Sequence, residues 1–199
     1  MARIIWEGNQ DWDKEHPGGE PPLNAHKIER PDDILKASTP YGILPAALCF
    51  LCVFLKRGAS SEYLFDLRFI PISFLLGALL IPVHEFLHAV CYPDDATVYT
   101  GICLKKIAAY AVSYHPISRT RFIIMSLAPM ILGIIPLIVF LIVPFSCRAV
   151  VTLCSVPMFM GLISPSPDYM DVLLVLKQVP RGATIQAAKD GMYWFDGKE

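Results

Sequence analysis

The chain has 199 residues, room for one domain and a tail, and 54% of them are hydrophobic while only 18% are charged, against roughly a quarter charged in ordinary soluble domains. A formal net charge of −1 lacks the basic footprint of a nucleic-acid partner. The six cysteines (Cys49, Cys52, Cys91, Cys103, Cys147, Cys154) show neither the paired spacings of a zinc ribbon nor the density of a disulfide scaffold.

Residues 1–36 carry eight acids and five bases with no apolar run. Pro17-Gly18-Gly19 and Pro21-Pro22 predict an irregular polar arm. Met1 to Ile5 is too short for the apolar region of a signal peptide, so membrane entry is expected through internal segments. Four apolar stretches follow, each near the roughly 20 helical residues that a bilayer needs. They are Ala37 to Leu55, Phe69 to about Tyr92, Phe122 to Cys147, and Ala149 to Pro167. Between the second and third, Ala96 to Ile117 mixes β-branched, aromatic and polar residues, with Lys105 and Lys106 where a hairpin could turn.

The expected fold is therefore an all-α membrane protein. It is a four-transmembrane-helix bundle with a short β-like cytoplasmic segment between helices 2 and 3. Residues 1–36 form a cytoplasmic arm, 37–187 the four-span domain in the lipid bilayer, and 188–199 a cytoplasmic tail. With the N-terminus inside, only Lys56, Arg57, Arg68 and Arg148 of the 17 Lys and Arg lie outside. The other thirteen, Lys14 and Lys198 among them, lie inside, which places both termini in the cytoplasm of a multi-pass cell-membrane protein.

Chemistry concentrates in His84-Glu85-Phe86-Leu87-His88 near the end of the second stretch. Histidines four apart project from one helix face and can reach a single metal ion, and Glu85 beside them can take a proton from an activated water. Ionisable residues inside a span are expensive and point to function. A catalytic zinc site needs a third protein ligand and one open position. No glutamate follows Glu85 until Glu199, which leaves aspartates. His84 lies fifteen residues past Phe69 and Asp168 nineteen past Ala149, or about 22 Å and about 28 Å along helices that run in one direction. Asp168 follows Ser164-Pro165-Ser166-Pro167, where prolines should interrupt the helix at a polar site. Asp168 is thus the favoured third ligand. Asp171 is the next candidate, or else a partner that orients a ligand histidine. Asp94, Cys91 and His115 remain further possibilities.

Pro82-Val83-His84-Glu85-Phe86-Leu87-His88-Ala89 resembles the metal helix of site-2-protease-like intramembrane metallopeptidases. Over about Leu75 to Gln186 the chain is closer to a family of mainly bacterial four-span proteins described as putative zincin peptidases. That likeness takes in His115-Pro116-Ile117, Leu127-Ala128-Pro129, Ser166-Pro167-Asp168 and Leu176 to Gly182. The resemblance implies His84 and His88 as zinc ligands, Glu85 as catalytic base, and Asp168 as the later acid. Two departures stand out. Pro167 occupies a position often held by glycine, which keeps Asp171 open as the ligand, and no asparagine follows Asn24. The expected function is zinc-dependent intramembrane proteolysis of membrane-embedded or juxtamembrane segments of a membrane-protein substrate. The alternatives are a metal-binding membrane scaffold or regulator without proteolysis, and a metal or solute transporter.

Overall fold

A computed structural model of the protein describes residues 1–10, 16, 18–59, 63–106 and 108–196. Lys14, Pro17, Lys198 and Glu199, used above, lie outside them. The described residues are mostly helical. The helices are α1 (Ile34–Gly58), α2 (Ile70–Val90), α3 (Arg119–Leu127), α4 (Ile131–Ile142), α5 (Arg148–Ile163) and α6 (Ser166–Gln178). A short 3-10 turn leads into α2, another joins α3 to α4, and a break of two residues separates α5 from α6. Counted with these joints, four helical stretches are long and apolar enough to cross a membrane: Ile34–Gly58, Leu67–Val90, Arg119–Ile142 and Arg148–Gln178.

The chain divides into two compact units. One comprises Leu35–Ile81 and Pro129–Pro167 and is built from α1, α4, α5 and the first half of α2. Its core joins Cys49 and Cys52 of α1 to Phe140 of α4 and Val151, Met158 and Leu162 of α5. Here α4 and α5 approach to backbone contact: a methyl group on Gly133 would lie 2.6 Å from the carbonyl carbon of Gly161. Small residues at such crossings are what lets helices pack without a hydrophobic driving force. Lys56, buried at the end of α1, donates to the carbonyls of Leu141 (3.3 Å) and Val143 (2.7 Å). It thereby satisfies acceptors that the end of α4 leaves open.

The other unit comprises Met1–Ile34, Pro82–Ala128 and Asp168–Glu199 and carries two small sheets, where the sequence had suggested a single β-like segment. In the first, β1 (Arg3–Asn9) runs parallel to β3 (Thr97–Cys103), which pairs antiparallel with β4 (Ala108–Val112). The β3–β4 hairpin turns at Leu104–Lys106, as expected from the two lysines. In the second, β2 (His26–Lys27), β7 (Gly191–Phe195), β6 (Thr184–Ala188) and β5 (Ile117–Ser118) lie in that order, all antiparallel. The arm is thus not irregular throughout, since it supplies β1 and β2. The C-terminal residues form most of a hairpin. Val175 of α6 and Val179 just after it pack with Phe122 and Met125 of α3, Ile185 of β6 and Ile28 beside β2. This core holds the C-terminal end of α6 against α3.

A further difference from the sequence reading concerns the fourth span. The prolines do interrupt the helix, but α6 resumes at Ser166 and continues to Gln178. Asp168 therefore lies in the first turn of a helix and not beyond the end of one. Proline is readily accommodated in a first turn, where its missing N–H has no intrahelical partner to lose.

Candidate metal centre

His84, Glu85 and His88 lie on the last two turns of α2, and Asp168 on the first turn of α6. All four belong to the unit that holds the two sheets. The His84 and His88 Nε2 atoms are 3.0 Å apart, with rings inclined at 76°. Asp168 reaches both: Oδ2 lies 3.2 Å from His84 Nε2 and Oδ1 lies 3.4 Å from His88 Nε2. One ligand atom from each of the three residues falls within 4.8 Å of the others. Both imidazoles are 12% exposed and the Asp168 carboxylate 19%, so the cluster is shielded while still open to a small ligand.

The donor set can be tested against zinc. Ligands at about 2.0–2.1 Å in a tetrahedron stand about 3.3 Å from one another. The observed separations of 3.0, 3.2 and 3.4 Å bracket that edge. The two carboxylate separations run to different Asp168 oxygens, and one ligand atom from each residue lies within 4.8 Å of the others. The three residues therefore suit a zinc ion in donor type and reach and would leave one position of a tetrahedron open.

Backbone groups complete the site. His88 Nδ1 lies 3.0 Å from the carbonyl oxygen of Met125. That acceptor requires the proton on Nδ1 and so leaves the Nε2 lone pair facing His84 and Asp168. The backbone N–H of Ala111, on β4, is directed at the Glu85 carboxylate. Ala89, next to His88, is fully buried with Ala96 and Val98, which ties α2 to the first sheet.

The other candidates are engaged elsewhere. Asp171 accepts two hydrogen bonds from Arg30, Nε to Oδ1 at 3.0 Å and Nη2 to Oδ2 at 2.7 Å. Both of its oxygens are engaged by that guanidinium, and the Nδ1 of His88 is served by the Met125 carbonyl instead. Asp94 pairs with the amino group of Met1 at 2.7 Å and is 88% exposed. His115 stands 3.6 Å from Asp95. Cys91 lies beside Arg121, which donates to its carbonyl at 3.2 Å, and burial pushes its thiol pKa up. A raised thiol pKa disfavours the thiolate that a metal would need. Sequence reasoning did not reach Arg30, Met125 or Ala111. Two of these act through backbone atoms and leave no residue signature, and Arg30 contacts a residue 141 positions away.

Two histidines one helical turn apart, a glutamate between them and an acid from a later helix make the donor arrangement of a zincin-type protein. The chain belongs to the family described as "putative zincin peptidase", whose pattern matches residues 77–184. No curated protein and no solved structure matches it.

Proposed function

We propose that the protein is a zinc-dependent intramembrane metallopeptidase that cleaves membrane-embedded or juxtamembrane segments of other proteins. The observation that carries this reading is the convergence of His84 Nε2, His88 Nε2 and the Asp168 carboxylate at zinc-compatible separations. The setting supports it too, since the three donors come from helices apolar enough to cross a bilayer.

His84, His88 and Asp168 would hold the ion. Bound zinc supplies Lewis-acid polarisation of a carbonyl oxygen and acidification of water. Glu85 adjoins the first histidine and is the group placed to take a proton from the attacking water and return it to the departing amine. The Ala111 N–H faces its carboxylate. Because β4 is an edge strand of the first sheet, its free side offers backbone groups beside Glu85. An unwound substrate segment could pair there as an added strand.

Zinc content of the purified full chain tests the assignment. Wild type should carry about one zinc per chain, as expected for one three-ligand site. His84→Ala, His88→Ala and Asp168→Ala should each lose most of it. Full zinc occupancy in the double variant His84→Ala, His88→Ala would refute the ligand set.

A further inference from the structure

Asp171 lies one helical turn beyond Asp168 on α6, so the two carboxylates share a face. A second buried carboxylate so close is a problem for any cation site, because it is a competing ligand and a source of repulsion. The chain resolves this with Arg30. Its guanidinium grips Asp171 through both carboxylate oxygens, at 3.0 and 2.7 Å. Arg30 is 25% exposed and Asp171 13%, well removed from bulk water. Planar two-point pairing fixes direction as well as charge. Around this pair the segment is firmly seated. Gln178 accepts from the Glu29 N–H at 2.8 Å and donates to the Glu29 carbonyl at 3.0 Å. Ile28 is 2% exposed in the core beneath.

We propose that Arg30 is a positioning residue of the metal centre. By occupying Asp171 it fixes the rotation of the first turns of α6, so that Asp168 alone presents its carboxylate to His84 and His88. The role rests on the zinc reading above. It reaches the ion through two intermediaries, Asp171 and the helix, and touches neither metal nor substrate. Removal of Arg30 leaves Asp171 as a buried, unpaired charge. That charge is relieved either by taking up a proton or by turning Asp171 towards solvent or towards the metal, and either motion drags Asp168 with it.

The test measures zinc affinity of the full chain by competition with a chelator, together with the visible absorption of the cobalt-substituted protein. The Arg30→Met variant should bind zinc about tenfold or more weakly, within the 10–100-fold span usual for residues that orient metal ligands. Its cobalt spectrum should shift, because the carboxylate meets the ion in a different geometry. Arg30→Lys keeps the charge but not the two-point grip, and should fall between. Asp171→Asn should weaken binding as well, and the double variant Arg30→Met, Asp171→Asn should be no worse than Arg30→Met. Gln178→Ala removes the neighbouring tether without touching either acid, and should leave affinity and spectrum unchanged. Should Arg30→Met fail to fold, Arg30→Lys and Asp171→Asn carry the comparison. Wild-type affinity and spectrum in the Arg30 variants would overturn the role, as would an equal loss in Gln178→Ala, which would reduce Arg30 to a general fastener. A wild-type chain that binds no zinc at all would remove the metal centre itself, a different failure.

Discussion

Two imidazoles on one helix face share a metal only when each turns the correct nitrogen towards it. For His88 the Met125 carbonyl makes that choice, at 3.0 Å from Nδ1. The histidines, Glu85 and Asp168 were readable in the sequence because helical spacing is a local property, and because the Ser-Pro-Ser-Pro run marks a helix break. Arg30 was not, since an arginine ahead of Pro31 and the first apolar stretch looks like any flanking base. The same limit hid the contact between Tyr110 and Glu7. The Tyr110 hydroxyl donates to Glu7 Oε2 at 2.9 Å, and burial together with that carboxylate pushes its pKa up to about 12. A folded-state pKa above the unfolded value of about 10 means that the stabilisation is fully present below pH 10. It is lost as pH rises through about 12. Tyr110→Phe should therefore cost about 1 kcal/mol near neutral pH. The difference from wild type should shrink as the pH passes 10 and approaches 12 in base-unfolding curves followed by circular dichroism. A gap between the two proteins that stays constant across that window would contradict the assignment.

At the scale of elements, the long helices were evident from uncharged runs, while the strands were mostly hidden. β1 pairs in parallel with a strand more than ninety residues away, and parallel pairing leaves no turn to find. The β6–β7 hairpin did carry a signal. Asp190-Gly191 stands between short alternating runs, and Gly191 has a φ of 149°, in the region that favours glycine. An assumed tail beginning at residue 188 concealed it. The α4–α5 contact was equally quiet in the sequence, because single glycines in an apolar run do not announce a crossing. Gly133→Ala places a methyl 2.6 Å from the Gly161 carbonyl carbon, with backbone that cannot step aside. Such overpacking should cost about 1–3 kcal/mol and lower the thermal midpoint of the detergent-solubilised chain. Gly58→Ala, with nothing within 4 Å, should not. Equal midpoints for the two variants would contradict close α4–α5 packing.

For the molecule as a whole, the outward-facing residues are the telling feature. Leu44, Phe54, Phe74 and Ile142 are between 62% and 78% exposed, an arrangement that water penalises and a bilayer accommodates. The distribution of Lys and Arg then predicts both termini on the cytoplasmic side. In a background lacking the six native cysteines, a cysteine at Gly58 should react with an impermeant reagent on intact cells, and one at Arg181 should not. Labelling at Arg181 from outside would reverse the topology. Comparison of wild type with Glu85→Gln is the sharpest test of zinc-dependent peptidase activity. Both would be reconstituted with a membrane-segment substrate, and zinc content and cleavage measured on the same samples. Equal zinc is expected in the two proteins, with cleavage by wild type and none by Glu85→Gln. Cleavage by Glu85→Gln at the wild-type rate would contradict zinc-dependent catalysis through Glu85.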